Sequence, residues 1–241
     1  MKKWIITIAI GMASSIGVYT ITRKQQEKAR EFEKHVPYGP YEIIIKRPLD
    51  MGVSVIALLF LSPILLIIAL LVRINLGSPV LFTQERPGKD ERVFKLYKFR
   101  TMINPKDGMI DPSDDASRLT PFGQKLRATS LDELPELINI IKGDMSIVGP
   151  RPLLTQYLER YNAEQHRRHE VRPGLTGLAQ VHGRNAVSWE EKFDWDVQYV
   201  KHVSFMEDLK IIIDTVKTVV RREGISDENS VTMTEFMGNE K

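Results

Sequence analysis

Two long apolar runs and a short amphipathic stretch organise this chain. The first run, Trp4 to Thr22, covers about 19 residues between Lys2-Lys3 and Arg23-Lys24, enough for a helix of roughly 28 Å that crosses a bilayer. Ala13-Ser14-Ser15 offers the small residues of a cleaved signal peptide, but Ile16, Val18 and Ile21 continue the run past any such site and favour an uncleaved anchor. The charged, helix-prone segment Arg23 to Pro40 reads as a linker on the membrane surface. The second run, Met51 to Val72, is longer and more apolar and carries Ser62-Pro63 at its centre. A proline there removes a backbone hydrogen bond and bends the axis, which lipid tolerates where a neighbour such as the Ser62 hydroxyl satisfies the freed carbonyl.

Charge decides how the second run sits. Arg23, Lys24, Lys28, Arg30, Lys34, Lys46 and Arg47 precede it, and Arg73, Arg86, Lys89, Arg92, Lys95 and Lys98 follow it. Both flanks are therefore expected on the cytoplasmic face. The expectation is a re-entrant helix over residues 43–75, broken at Ser62 and Pro63, rather than a full span. The first helix then has its N-terminus outside.

From Pro79 onward the pattern shortens into mixed elements. Val80 to Gln84 and Val93 to Phe99 alternate as two strands around a turn at Pro87-Gly88-Lys89-Asp90. The acidic stretch Asp107 to Asp115 reads as a loop, and Thr120-Pro121 as the cap and first residue of a short helix through Arg127. Leu154 to Glu170 reads as a charged helix, and the glycine-rich stretch Arg172 to Asn185 does not. Its glycines either let the backbone approach a ligand or simply turn the chain. Leu209, Ile212, Ile213, Val216, Val219 and Val220 recur at helical spacing, with Lys210, Lys217, Arg221 and Arg222 elsewhere around the turn. Such a helix lies in the headgroup layer or packs on a core, and the membrane segments favour the first. The predicted class is α+β: an N-terminal membrane helix and linker over 1–40, a re-entrant membrane helix, and a mainly helical cytosolic catalytic region over 79–241 with a small β-element and interfacial amphipathic helices.

Composition narrows the chemistry. With 241 residues, 42% of them hydrophobic and 27% charged, the chain can bury one sizeable core and is not of a disordered class. A net charge of only +3, with bases scattered among acids, argues against a nucleic-acid partner. The chain has no cysteine, which removes disulfides, thiolate zinc sites and cysteine nucleophiles.

The densest chemistry lies in Ser130-Leu-Asp-Glu-Leu-Pro-Glu-Leu137 and the Lys142 to Pro152 segment that follows, with its Gly149-Pro-Arg-Pro152 loop. An adjacent acid pair, Asp132-Glu133, can divide its labour, one carboxylate attacking phosphorus while the other holds a divalent cation. The guanidinium of Arg151 would neutralise phosphoryl oxygens. Ser130 and Glu133 also fit a capping box that merely opens a helix, although Pro135 sits badly inside one. His166 and His169 share a helix face, but they stand in the run Gln165 to Glu170, expected to be exposed, among cations that would repel a metal. Magnesium at Glu133 is the better expectation, since that ion takes one or two carboxylates plus substrate phosphates.

The chain resembles the bacterial sugar transferases, the monotopic polyprenyl-phosphate phosphoglycosyl transferases, and within them the small type that handles diacetylbacillosamine phosphate. The resemblance runs from about Tyr41 to Gly238. It rests on Lys46-Arg-Pro-Leu-Asp50, Ser62-Pro63, Gln84-Glu-Arg-Pro-Gly88, Lys98-Phe-Arg-Thr-Met102, Ser130 to Pro135, Gly143 to Pro152, Arg172-Pro-Gly-Leu-Thr-Gly177 and Gly183-Arg-Asn185. Leu178 and His182 stand where that family usually has tryptophan and asparagine.

What the resemblance implies is transfer of a sugar 1-phosphate from a UDP-sugar to undecaprenyl phosphate with release of UMP. Asp132 would be the nucleophile and Glu133 the magnesium ligand, with Lys98, Arg127, Arg151 and Asp208 as further polar site residues. The tail from Gly224 to Gly238 resembles that of the diacetylbacillosamine type, which makes an N-acetylated hexosamine, with or without a 4-amino modification, the first expectation and leaves galactose and glucose open. The implied setting is the cytoplasmic face of the bacterial inner membrane, with membrane lipids and downstream glycosyltransferases as partners. Two other readings compete: a membrane-anchored lipid phosphatase using the same aspartate with water as acceptor, and a non-catalytic scaffold of polysaccharide assembly whose acid pair is only a cap.

Overall fold

The computed structural model of the chain describes residues 34–104, 115–182, 187–221 and 235–238. The first apolar run, most of the linker and of the acidic stretch, the Gly183-Arg-Asn185 motif and the tail between Gly224 and Thr234 lie outside them. A π-helical turn, Tyr41–Ile45, leads into α1, Lys46–Leu76. Together they form a 36-residue apolar helix, long enough to cross a membrane. Its outward face is strongly exposed, with Leu59, Phe60 and Leu66 at 69, 80 and 71%, a surface that water does not accommodate.

The helix does not end at Ser62-Pro63, as a broken helix would. Proline leaves the Leu59 carbonyl without its usual donor, and the Ser62 hydroxyl supplies one at 2.7 Å. That local repair keeps α1 helical through the proline.

Both ends of α1 are fastened to the same domain. Near its start, Arg47 donates to the carbonyls of Ile140 at 2.6 Å and Ile141 at 2.9 Å, closing the C-terminal end of α4, Glu136–Lys142. Asp50 accepts from the Ser146 hydroxyl, and Lys46 pairs with buried Asp208, which also accepts from Tyr41 at 2.5 Å and Tyr199 at 2.8 Å. At the other end Arg100 donates to the Leu76 carbonyl and, at 2.9 Å, to that of Ser78. Between these anchors Ile68, Val72 and Leu76 pack with Phe99 and Leu126, while Ala57, Leu58 and Leu61 rest on Leu96, Leu137, Ile140 and Met145.

Two small sheets frame the rest. β1, Leu81–Pro87, and β2, Val93–Phe99, pair antiparallel with Leu81 opposite Phe99; the two strands are those expected, but the first runs on through Pro87, which the sequence placed in the turn. After α2, Asp115–Arg118, comes α3, Pro121–Ala128, where the Thr120 hydroxyl accepts from the Gly123 amide as the sequence predicts. β3, Ser146–Val148, pairs in parallel with β4, Gly174–Thr176. This pairing needs glycine, because a Cβ on Gly174 would lie 2.1 Å from the Gly149 nitrogen. The glycines of both motifs thus serve backbone-to-backbone approach.

The expected helix from Leu154 to Glu170 is instead a 3-10 segment, Thr155–Arg160, then α5, Ala163–His166, and a 3-10 turn, Arg167–His169. A capping box between Asn162 and Gln165 restarts the chain there. The run expected to be exposed is largely inside: Gln165, Arg167, Arg168 and His169 are all buried.

α6, Leu178–Val181, occupies part of the glycine-rich stretch, followed by α7, Trp189–Lys201, and α8, Phe205–Arg221. Ile211 faces a core of Val148, Val171, Leu178, Tyr199 and Val200. Phe205, Met206, Leu209, Ile212, Ile213 and Val216 remain exposed, the unpartnered apolar face expected of an interfacial helix.

Removing one partner of a buried charge cluster costs more than removing both. Asp208→Ala should therefore lower the unfolding midpoint in detergent, by about 3 kcal/mol in stability. The Lys46→Met, Asp208→Leu double variant should lose clearly less than the two single effects combined, read in the same thermal melts.

Candidate active site

The acid pair Asp132-Glu133 sits in a tight turn rather than at a capped helix. Ser130 adopts a left-handed conformation with φ of 54° and makes no side-chain cap. Leu131–Glu133 is a 3-10 turn, and α4 begins only after Pro135. The capping-box alternative for Glu133 therefore fails. Its carboxylate turns away from Ser130 and accepts from Lys98 of β2 at 2.7 Å and from Arg151. A non-glycine residue held left-handed two positions before the acid pair costs about 1 kcal/mol or more, strain of the kind found at functional sites.

Arg151 is positioned by the β3 to β4 pairing. The Gly149 amide donates to the Thr176 carbonyl at 2.9 Å, and the Gly174 amide to that of Pro150 at 3.0 Å. The Arg151 carbonyl accepts from Arg168 at 2.7 Å. Lys98 also reaches Glu136 at 3.1 Å, and the Arg127 Nε donates to the Thr101 hydroxyl at 3.0 Å. Three acids, Asp132, Glu133 and Glu136, thus share one cluster with Lys98, Arg127 and Arg151. The sequence reading assembled five of these six and missed Glu136, whose only signal was its place three residues after Glu133.

The acids divide by environment. Burial, then the neighbouring Glu133 charge, pushes Asp132 up to about 6. Burial pushes Glu136 up to about 7 against the pull of Lys98. Burial would raise Glu133 too, but the Arg151 and Lys98 charges overcome it and hold that carboxyl well below the usual range. Arg151 is held well above its ordinary value, chiefly by Glu133. Among the described residues Asp132 accepts no side-chain hydrogen bond, which leaves its oxygens available for attack.

Glu133, Arg127 and Arg151 line a cavity of about 560 Å³ that also takes in Arg168, Gln180, Lys192 and Asp196, none of them singled out from sequence. Asp132 and Lys98 lie behind this lining rather than in it, and Asp208 does not line it either; its carboxylate is used by Lys46, Tyr41 and Tyr199. Neither do Leu178, which is in the core, nor His182, which stacks on Trp195 at 4.2 Å between ring centres. The two histidines considered for a metal part company: His166 meets Glu91 at 2.7 Å, while burial pushes His169 down to about 3. No group of three or more metal-binding side chains occurs among the described residues. Among the described residues Glu133 accepts its hydrogen bonds through one oxygen only, so its second oxygen is the one that would meet a cation completed by water and phosphate. That donor set fits magnesium.

The Asp132 environment has a stability consequence. Its folded value of about 6 lies above the ordinary 3.8, so the folded state binds the proton more tightly. This contribution favours folding below pH 3.8 and is lost as the pH rises through 6. Asp132→Asn should then raise stability at pH 8 by on the order of 1–3 kcal/mol. The gain should shrink to nothing near pH 4, measured as paired thermal melts across that range.

Comparison with known proteins agrees with this geometry. The model of the family described as bacterial sugar transferase matches residues 41–222. The chain is 49% identical over 197 residues to the uncharacterized sugar transferase EpsL of Bacillus subtilis (strain 168), covering 82% of this chain and 98% of that protein. It is 39% identical over 190 residues to the UDP-glucose:undecaprenyl-phosphate glucose-1-phosphate transferase of Klebsiella pneumoniae, covering 75% of this chain and 41% of the other. It is 37% identical over 190 residues to the UDP-N-acetylgalactosamine-undecaprenyl-phosphate N-acetylgalactosaminephosphotransferase of Aeromonas hydrophila, covering 76% of this chain and 45% of that protein. Matched across its membrane helix, its acid pair and its arginine loop alike, the chain is an enzyme that belongs to the bacterial sugar transferase family.

Proposed function

We propose that this chain transfers a sugar 1-phosphate from a UDP-sugar to undecaprenyl phosphate on the cytoplasmic face of the inner membrane, and so initiates assembly of a cell-surface glycan. The observation that carries the reading is the Asp132, Glu133, Lys98 and Arg151 cluster, beside a cavity partly walled by the exposed apolar face of α8. A site for a charged diphosphate thus opens beside a surface suited to lipid.

In the first half-reaction an Asp132 oxygen attacks the sugar-bearing phosphorus. The bond to the bridging oxygen of the uridine-bearing phosphate breaks, and UMP leaves with those electrons. In the second, an oxygen of the lipid phosphate attacks the same phosphorus, and the Asp132 carboxylate departs unchanged. Arg151 and Lys98 offset charge on the phosphoryl oxygens without reorganisation, because Glu133 already holds both in place. Magnesium bound at Glu133 would add Lewis-acid stabilisation of the diphosphate. The departing UMP takes no proton from these residues.

The sugar is proposed as an N-acetylated hexosamine. The Aeromonas relative is named for such a sugar and the Klebsiella relative for glucose, so a panel of UDP-sugars decides. The lipid phosphatase alternative predicts phosphate release with water as acceptor; the scaffold alternative predicts no turnover. The re-entrant placement of α1 is supported by both of its ends being bound to one domain.

Three outcomes test the reading. Sustained UMP release beyond one turnover should require polyprenyl phosphate and magnesium, and all release should vanish in Asp132→Asn, with a phosphosugar adduct on wild-type Asp132 visible by mass spectrometry when the acceptor is left out. Arg151→Lys should lose about tenfold or more in turnover, because an ammonium cannot reproduce a guanidinium's directed donors. Single cysteines at Lys34 and Gly77 should both resist an impermeant reagent outside intact cells; labelling of one and not the other would require a full span.

A further inference from the structure

The strand that carries Lys98 has one edge without a strand partner. β1 pairs with one side of β2, and the backbone groups that face the other side need partners of their own. α4 supplies them through a single side chain. Asn139, at 0% exposure, accepts from the Tyr97 amide through Oδ1 at 3.0 Å and donates from Nδ2 to the Lys95 carbonyl at 2.7 Å. The carboxamide thus stands where one peptide of a third strand would stand. Asparagine is a poor residue for the middle of a helix, but an aspartate or leucine in its place would leave one or both backbone groups bare.

This contact joins the two elements that bring opposite charges to the site. The residue after Tyr97 is Lys98, whose ammonium lies 2.7 Å from Glu133 and 3.1 Å from Glu136. Glu136 stands three residues before Asn139, on the same face of α4. Apolar contacts of Leu96 with Leu137 and Ile140 hold β2 and α4 together, but such contacts are not directional and do not set a register. A slip of β2 along α4 by one residue, about 3.3 Å, would turn Lys98 away from the acids. The two hydrogen bonds of the carboxamide oppose that slip.

We infer that Asn139 is a positioning residue for the transfer reaction: its carboxamide sets β2 against α4 so that Lys98 meets Glu133 and Glu136, ready for a phosphate ligand. This role rests on the function proposed above. Asn139 itself touches no substrate and acts through Lys98.

A residue that acts through Lys98 must be coupled to it, and a double-mutant cycle reads that coupling. The signal is UDP binding to the full chain in detergent with magnesium, measured by calorimetry, since UDP carries the diphosphate and no sugar to transfer. Lys98→Met should weaken UDP binding by about tenfold or more, the loss of a charge-assisted contact. Asn139→Ala should weaken it by a similar factor with Lys98 in place, and by less than about twofold once Lys98 is methionine. Met145→Ala, a truncation in the same core, should lower the melting temperature yet leave UDP affinity within about twofold of wild type. Should Asn139→Ala fail to melt cooperatively, Asn139→Ser takes its place in the cycle; failure of both would make the residue structural only and overturn the inference. Unchanged UDP affinity in Asn139→Ala or in Lys98→Met would overturn it too, as would losses that multiply in the double variant or an equal loss in Met145→Ala. A wild-type protein that releases no UMP from a panel of UDP-sugars given polyprenyl phosphate would instead refute the underlying function.

Discussion

Fastening both ends of the apolar helix to one domain is the constraint from which the rest of this structure follows. Arg47 and Arg100 each spend a guanidinium on backbone carbonyls at helix ends, the first on α4 and the second on α1 itself. The last carbonyls of a helix lack the usual donor four residues on and are costly to leave bare near lipid, and of those of Ile140, Ile141 and Leu76 only that of Ile140 also accepts from a backbone amide, Gly143, at 3.1 Å. The arginines satisfy them and bind the membrane element to the catalytic one in the same contact. Because α4 follows directly on the acid pair, the Arg47 contact ties the position of Asp132 to the position of α1. The catalytic turn thus has a fixed place relative to the apolar helix rather than hanging from a linker.

Charge compensation within the site follows a similar economy. Three acids and three bases meet in a poorly hydrated cluster, where unpaired charges would cost several kcal/mol each. Glu133 takes both Lys98 and Arg151 and stays ionised, while burial raises Asp132 and Glu136. Near neutral pH the cluster then holds a fraction of its acids as neutral groups, and its balance tips toward positive charge. An anionic diphosphate is the complement of that imbalance. The same environment makes the Asp132 carboxylate more basic than an exposed aspartate's, which suits the nucleophilic role proposed for it, at some cost to the stability of the fold.

The parts of this architecture legible from sequence are the ones fixed by local rules. The β1 to β2 hairpin, the Thr120 cap and the α8 periodicity each depend on residues a few positions apart, and the Ser62 repair of the Pro63 gap lies within one helical turn. The misjudged parts are those that tertiary contacts decide. Ser130 and Glu133 have capping-box spacing, yet Lys98 and Arg151, 35 and 18 residues distant in sequence, offer the carboxylate two charged donors in place of one amide. Charged Arg168 looks like a surface residue until Asp196 and the Arg151 carbonyl are seen to occupy its donors. Asp208, carried to the site by motif alone, proves to be the acceptor that Lys46, Tyr41 and Tyr199 share.

The two glycine-rich motifs show why a site built across distant segments can still be well defined. Gly149 and Gly174 allow β3 and β4 to approach at distances no side chain would permit, so the loop leaving β3 has little freedom in direction. Pro150 and Pro152 stiffen it further by fixing their own backbone torsions. Arg151 stands between them, its carbonyl bound by Arg168 and its side chain by Glu133. A guanidinium restrained at both ends gives up little further rotamer freedom when a phosphate arrives. A flexible lysine on an open loop would lose about 2 kcal/mol of that freedom in the encounter. The preorganisation of the site therefore comes from backbone contacts made far from Asp132, and it is present before any substrate binds.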